Sequence, residues 1–384
     1  MLLDKDKVRL HIDVNGNTRY QCGQAITGCL KVEVLKDVQV TAIRLLACGK
    51  ETTSFTAKKS GHGKKVSEES YIHYHHLITF FGFSKESGRT GGASLAAGSY
   101  EYPFQFVIPP SAPPSYRCCI PAGKAEMAYI LRATVDIPHG FNGSKQLSIV
   151  VLPTISQLQY EQLRNASETF NTTKLALSID PGCCGKYRDP EAALEATIEA
   201  PMIALLESNL NGGNANSEGY ALNGLAGSPS SSSCVRVRLT LRNLCRKAHI
   251  RNVRVVLCQH QRLMAQGNSA DGVQTIAKAD VVLPHGELIP RSVRTFDVAL
   301  HLPDAIQHTS EMSRRYPLPT METLFLQVSN FITVTFPGLE AETVLTFSDA
   351  MPIVAAIDST NSVPMIPFTH CQNVIYPEDK LGAE

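Results

Sequence analysis

The chain has 384 residues, a length that exceeds what one hydrophobic core usually serves, so two domains of somewhat under about 200 residues each are expected. Hydrophobic residues make up 43% and charged residues 18% of the sequence, which excludes a disordered chain, and no stretch approaches the roughly 20 apolar residues of a membrane-spanning helix. The net charge is +1, but residues 1–160 contain 18 Lys and Arg against 12 Asp and Glu, so attraction for acidic partners is expected in the first half and is too small to indicate nucleic acid.

The amino terminus, MLLDKDKVRLHIDV, places acidic residues and lysines where a secretory signal needs an apolar segment. Eleven cysteines occur without a C-x-x-C pair, and two pairs are adjacent in sequence, Cys118-Cys119 and Cys183-Cys184. Adjacent cysteines do not readily bridge each other, so buried free thiols are expected, with reversible acylation as the alternative. These features predict a cytoplasmic protein.

Alternation of apolar and polar residues predicts half-buried strands in both halves, most clearly at 8–14, 129–135 and 235–242. Further strands are predicted at Leu30–Val34, Val38–Leu46, Tyr71–Phe80, Tyr102–Ile108, Gln146–Leu152, Val253–Gln259, Phe296–Leu302, Leu324–Val328, Phe331–Phe336 and Thr343–Phe347. So many strands predict an all-β fold of sandwiches or barrels.

Helical patterns are scarce. Gln157–Ala166 is predicted as a short linker helix, and Pro190–Leu206 is a second candidate that Pro201 interrupts. Three stretches lack periodicity and are predicted as long loops, at 52–70, 83–98 and 207–233.

Several segments of the first half carry family-like motifs in a fixed order. They are Val8–Val14, YQCGQAITG at 20–28, VTAIRLLACG at 40–49, LAAGSYEYPFQFVIP at 95–109 and AYILRATV at 128–135. This order resembles the amino-terminal domain of the arrestin superfamily, especially its arrestin-domain-containing branch, with Cys22 in place of the usual Pro and Gln24 in place of the usual Glu. Segments 235–257, 296–303 and 350–354 resemble the carboxyl-terminal arrestin domain more loosely. One departure from the family pattern is the 207–233 insertion, which stands where the family usually has a short turn.

The resemblance implies two tandem immunoglobulin-like β-sandwich domains of the arrestin type. The expected boundaries are an amino-terminal domain at 1–158, a linker at 159–174, a carboxyl-terminal domain at 175–358 containing the low-complexity insertion 207–233, and a short tail at 359–384.

The resemblance also implies a non-enzymatic cytoplasmic adaptor or scaffold. Such a protein binds cytoplasmic tails of membrane receptors or transporters and links this cargo to protein transport, endocytosis or ubiquitylation machinery, including ubiquitin ligases, peripherally on endosomal or plasma membranes. One alternative is a stable subunit of a retromer-like trafficking coat. An alternative of another class is a metal- or cysteine-dependent enzyme on a β scaffold, for which only His73, His75 and the cysteines would be available.

A basic cluster is the main candidate binding site. It comprises Lys5, Lys7, Arg9, Lys58, Lys59, Lys64 and Lys65. Such cations could bind phosphorylated or acidic receptor tails, or anionic lipid headgroups, through charge-assisted hydrogen bonds. The alternative is a loop whose lysines are only solvated.

Pro113-Pro114-Ser115-Tyr116 matches Pro-Pro-x-Tyr, the ligand of WW domains, but it falls inside the predicted first domain and not in a free tail. The sequence His73-Tyr-His-His offers two imidazoles on one strand face, fewer ligands than a zinc site needs. The sequence contains no nucleophile elbow, phosphate-binding glycine loop or carboxylate pair, so no catalytic residue, metal or cofactor is predicted.

Overall fold

The structure is a computed structural model, and it describes most of the strands of the chain. The described residues are 7–16, 18–58, 64–82, 93–138, 143–152, 161–162, 165–166, 168–178, 193–201, 204–207, 234–245, 249–302, 320–337, 344–347, 353–356 and 373–374. Within them the molecule is built almost entirely of β-strands, which confirms the predicted all-β class. None of the helical segments in this part of the chain has the length and apolar character needed to cross a bilayer.

Two facing sheets make up most of the first half. Its strands are β1 (Val8–Val14), β2 (Arg19–Gln21), β3 (Ala25–Val34), β4 (Val38–Val40), β5 (Ala42–Lys58), β6 (Lys64–Gly82), β7 (Ala93–Leu95), β8 (Gly98–Val107), β9 (Tyr116–Ile120), β10 (Gly123–Asp136) and β11 (Gly143–Leu152). One sheet has the order β1-β3-β8, the larger has the order β2-β11-β10-β5-β6 with β9 paired to β10, and β4 pairs β7. The two sheets contribute side chains to one hydrophobic cluster, whose fully buried members include Leu30, Phe104 and Leu131.

The second half repeats this architecture. Its elements are β12 (Phe170–Ser178), β13 (Ala193–Pro201), β14 (Ala204–Glu207), β15 (Cys234–Asn243), β16 (Arg254–Ala265), β17 (Asn268–Asp280), a 3₁₀ turn (Pro284–Gly286), β18 (Ser292–His301), β19 (Met321–Glu322), β20 (Leu326–Thr335), β21 (Val344–Phe347), β22 (Ile353–Ala356) and β23 (Asn373–Val374). One sheet has the order β12-β13-β15-β18 and the other β17-β16-β20-β19, with β21 beside β20. β14 pairs β22, and β23 pairs β6 of the first half. A second hydrophobic cluster lies between these sheets.

Strand alternation determines which side chains enter these clusters. Along β15, Val235, Val237, Leu239 and Leu241 are buried while the arginines between them are exposed. Each such strand buries one face because successive side chains point to opposite sides of the sheet.

The segment 52–70, predicted as a loop, is largely strand. β5 continues to Lys58 and β6 starts at Lys64, and the two strands pair along their length. Glu51, Thr53 and Phe55 are buried at alternate positions. The strand period was hidden in the sequence because two of these three buried residues are polar.

Other predicted elements also differ from the structure. The candidate helix Pro190–Leu206 contains strand β13, because Leu194, Ala196 and Ile198 alternate into the second cluster. The two strands predicted at 324–328 and 331–336 are the single strand β20, with Asn330 buried inside it.

Parts of two further predicted segments can also be placed. Residues 161–162, 165–166 and 168 are helical, whereas the rest of the predicted linker helix lies outside the described residues. The predicted loop at 83–98 ends in strand β7 and the start of β8, and its first ten residues lie outside the described part. The insertion 207–233 also lies outside it, apart from Glu207 at the end of β14.

Candidate functional site

The two halves of the chain meet in a shared apolar junction. Leu263 and Ala265 of β16, Ala270 of β17, and Leu326 and Val328 of β20 belong to the hydrophobic cluster of the first half, not to that of the second. The β16–β17 hairpin therefore packs into the first half of the molecule.

Polar contacts hold the tip of this hairpin against β6. The Gln266 backbone N–H donates to Glu69 Oε2 at 2.7 Å, and its side-chain Nε2 donates to the Glu68 carbonyl oxygen at 2.9 Å. Asn268 Nδ2 donates to Ser67 Oγ at 3.2 Å. These bonds join residues about 200 positions apart in sequence, so they fix the hairpin to one place on the first half.

A completely buried carboxylate lies at the same junction. Glu51 is 0% exposed, and its Oε1 accepts hydrogen bonds from the Tyr116 and Thr323 hydroxyls, both at 2.5 Å, and from the Phe325 N–H at 3.3 Å. Its other oxygen lies 2.6 Å from His73 Nε2. Donors from three separated parts of the chain therefore converge on one carboxylate, which we term the junction carboxylate.

A β-bulge accounts for the position of His73. Gly49 pairs with Tyr74 and the next residue, Lys50, pairs with Ile72, so His73 has no direct partner on β5. A bulge bends its strand and redirects a side chain. Here it brings the His73 imidazole to the junction carboxylate, which no count of sequence positions could predict.

The environment of the junction carboxylate is strongly desolvated. Burial, followed by the hydrogen bond to Glu51, raises the pKa of Tyr116 well above its usual range. Burial likewise raises the pKa of Tyr129, whose hydroxyl donates to the Pro113 carbonyl oxygen at 2.6 Å. An unpaired charge costs several kcal/mol in such surroundings, so the donors around Glu51 are required for the junction to close. This arrangement binds the two halves together.

The predicted basic cluster is divided between the two sheets of the first half. Lys7 and Arg9 lie on or next to β1, where Arg9 Nη1 lies 3.6 Å from Glu33 Oε2 in an exposed pair. Lys5 lies outside the described residues.

The remaining lysines lie near the end of the β5–β6 hairpin. Lys58 and Lys64 are direct partners across the two strands, and Lys65 follows with an exposed side chain. Lys59 lies outside the described residues. The structure thus brings Lys58, Lys64 and Lys65 together on a strand pair, where the sequence predicted a loop.

The Pro-Pro-x-Tyr motif is part of the folded domain. Tyr116 is 4% exposed and its hydroxyl is bonded to Glu51, while the Pro113 carbonyl accepts from Tyr129. A WW domain binds this motif in an extended and accessible form, so Tyr116 is unavailable to it in this structure.

The histidines and cysteines form no metal cluster within the described part of the chain, where no three His, Cys, Asp or Glu side chains lie close enough to share an ion. Burial and the neighbouring His76 lower the pKa of His75. Burial raises the pKa of Cys118 to about 12, which makes it a poor nucleophile at neutral pH. Cys183-Cys184 lie outside the described residues.

Comparison with known proteins agrees with the architecture of the first half. Residues 8–157 match the family model "Arrestin (or S-antigen), N-terminal domain". The mouse protein Arrestin domain-containing protein 1 is 29% identical over 135 residues, which are 35% of this chain and 27% of the mouse protein. The rat protein of the same name is 28% identical over 135 residues, with the same coverage. The match thus spans about a quarter of the length of these relatives.

Proposed function

We propose that the protein is a non-enzymatic adaptor for membrane-protein cargo, because residues 8–157 match the family model of the arrestin N-terminal domain. It binds the cytoplasmic tails of receptors or transporters and connects them to transport, endocytosis or ubiquitylation machinery. We propose that it acts in the cytoplasm and binds peripherally to endosomal or plasma membranes. The observation that supports the proposal most directly is the family match over the whole first sandwich.

The basic end of the β5–β6 hairpin supports a role in binding acidic segments. Lys58 and Lys64 are backbone partners across the two strands, and the next residue, Lys65, is exposed. Phosphate and carboxylate groups form charge-assisted hydrogen bonds with such lysines. We therefore assign the contact with acidic or phosphorylated tails to Lys58, Lys64 and Lys65, with Lys7 and Arg9 as a separate contribution from β1.

A binding assay with cytoplasmic-tail peptides tests this assignment. Fluorescence anisotropy of phosphorylated tail peptides from candidate cargo should show binding that weakens as salt increases. A Lys58→Glu/Lys64→Glu/Lys65→Glu variant should lose most of the affinity. A Lys36→Glu/Lys145→Glu/Lys278→Glu variant reverses three exposed lysines elsewhere in the chain and controls for the change in net charge. Equal loss in both variants would contradict a specific role for the hairpin end.

Cellular proximity labelling tests the adaptor role itself. Labelling from the intact chain should recover membrane cargo together with transport or ubiquitin-ligase components, and recovery of none of these classes would overturn the proposal. Size-exclusion chromatography of native lysate distinguishes the coat alternative, since an obligate coat subunit elutes only in one large assembly.

Vesicles that contain phosphatidylserine test whether the lysines bind anionic lipid headgroups. Binding to them that disappears in the hairpin variant would assign the lysines to anionic headgroups instead of peptide tails.

A further inference from the structure

The outer face of the sheet β12-β13-β15-β18 has a ladder of paired charges. Arg238 Nε lies 3.2 Å from Asp297 Oδ1, and Arg238 Nη1 lies 3.4 Å from Glu199 Oε2. Two rungs away, Arg242 Nη1 lies 3.5 Å from Glu195 Oε2, which also accepts from Lys174 Nζ at 3.0 Å. These two rungs carry almost matched charge, as expected for cross-strand pairs on a solvated sheet face.

The next rung breaks this pattern at Arg236. This arginine points to the same outer face as Arg238, and its partner on β18 is Ala299, which has no acceptor side chain. Strand β13 ends two residues beyond Glu199, at Pro201, which pairs with Phe170 of β12. Within the described part of the chain, Arg236 has no carboxylate partner.

A groove lies over this unmatched rung. Its volume is about 490 Å³, and it is lined by Phe170, Glu199, Arg236, Arg238, Asp297 and Ala299, with Val237 and Val298 beneath. Phe170 is 50% exposed although it is aromatic. The exposed ring and Arg236, which has no carboxylate partner among the described residues, give the groove one apolar and one cationic contact, whereas Arg238 and Arg242 are paired with carboxylates.

We propose that this groove is a docking site for an acidic protein segment, in which an Asp or Glu side chain binds Arg236 and a neighbouring apolar side chain packs on Phe170. A planar guanidinium binds a carboxylate through two parallel hydrogen bonds. The aromatic ring provides desolvated contact area, as Arg and aromatic side chains do at the centres of protein interfaces. The inference shares with the proposed function only the premise that this chain binds other proteins.

The charge around the groove selects a peptide over an anionic membrane. Glu199 and Asp297 lie opposite Arg238 on the neighbouring rung. The two arginines and two carboxylates that line the groove therefore cancel, so the groove has no net charge to attract an extended anionic surface. A single carboxylate on a flexible segment can instead reach Arg236 at one end of the paired charges. The site also lies in the half of the chain whose Asp and Glu outnumber its Lys and Arg, so the attraction is local to the groove.

Peptide selection on the intact protein tests the proposal. A phage-displayed library of random linear peptides is panned on the wild-type chain, and enriched peptides are synthesised for anisotropy titrations. We expect enriched sequences with Asp or Glu next to an aromatic or aliphatic residue, and weakening by about tenfold or more in Arg236→Glu. Ala299→Trp, which fills the groove and retains the arginine, should abolish binding of the same peptides.

A matched variant and a vesicle assay complete the design. Arg251→Glu makes the same charge change at an exposed position of the second half and should bind the selected peptides as wild type does. Far-UV circular dichroism confirms that each variant is folded. The proposal is overturned if acidic peptides are not enriched, if they bind Arg236→Glu unchanged, or if only phosphatidylserine vesicles depend on Arg236. Each of these outcomes is independent of the Lys58, Lys64 and Lys65 titrations, so either proposal can fail alone.

Discussion

Removing the junction carboxylate is expected to loosen the attachment of the second half to the first. In Glu51→Ala the hydroxyls of Tyr116 and Thr323 and the Phe325 N–H lose their common acceptor, and His73 loses its partner. All these donors lie at the contact between the halves, so the substitution should weaken the attachment between the halves more than the packing within either sandwich.

The size of the effect follows from burial. Breaking a buried charged contact by removing one partner costs about 3–5 kcal/mol, because the remaining polar groups stay desolvated. Glu51→Gln retains one acceptor oxygen and loses the charge, so we expect a smaller loss of about 1.5–3 kcal/mol. Thr323→Val removes one donor and should cost about 1 kcal/mol. The first of these is a large fraction of the stability of a typical domain, which is about 5–15 kcal/mol.

Urea unfolding measures these changes. The chain contains 12 Tyr and no Trp, so tyrosine fluorescence reports on the transition, with Tyr116 itself at the junction, and circular dichroism follows the strands. Glu51→Ala should lower the midpoint and should separate the unfolding of the two halves into distinct steps. Glu33→Ala, which removes an exposed carboxylate on β3, is the control and should change the midpoint little, since exposed ion pairs contribute little to stability.

A free energy of unfolding for Glu51→Ala within about 0.5 kcal/mol of wild type, no larger a change than that of an ordinary surface substitution, would contradict this expectation. In that case the convergence of donors on Glu51 would be incidental to stability. A loss confined to the first half, with the transition of the second half unchanged and no separation of steps, would place the cost in the first core instead of the junction.

Four further predictions concern the junction, the cysteines and the Pro-Pro-x-Tyr motif. Gly272→Ala should destabilise the junction, because the new methyl group would lie 2.6 Å from Ile120 Cγ2 across the contact between the halves; adding Ile120→Ala should restore part of the lost stability in a double-mutant cycle. Iodoacetamide at pH 8 should modify the exposed Cys234 far faster than the buried Cys118, because the pKa of Cys118 is raised to about 12; mass spectrometry measures both rates. Because the pKa of Cys118 is higher in the folded than in the unfolded chain, this thiol should also contribute to the free energy of unfolding. That contribution should be complete at pH 8 and decline between about pH 9 and 12. The intact chain should show no binding to a WW domain in a pull-down, whereas urea-unfolded chain should, because Tyr116 is buried in the native state.

Alternation in sequence predicted the strands whose buried positions are apolar, but not those whose buried positions are polar. β10 and β15 follow the predicted pattern over their central residues. The β5–β6 hairpin was missed between Thr52 and Ser70 because Glu51, Thr53 and Ser67 occupy buried positions that apolar residues usually hold. Polar residues at those positions are stable only through partners from distant segments, and a local pattern contains no information about such partners.

The same limit applies to the sites. The lysines of the hairpin were identified by composition, and strand pairing supplied their arrangement, with Lys58 opposite Lys64. Glu51 gave no sequence signal, since its contacts to Thr323 and Phe325 join residues more than 270 positions apart. The unmatched Arg236 was visible only as one of several alternating arginines until the register showed which of them face carboxylates.

The junction also determines how two binding surfaces could act together. The basic hairpin end belongs to β5 and β6, and β6 is the strand that receives the β16–β17 hairpin tip. The Arg236 groove belongs to the opposite sheet of the second half. Because the buried carboxylate and the shared apolar cluster resist separation of the halves, the two surfaces are held on one body. A partner that carries both a phosphorylated tail and an acidic segment would then meet the second site at a high effective concentration once the first is bound. For the adaptor proposed above, weak contacts at each surface would then suffice for binding that is still reversible.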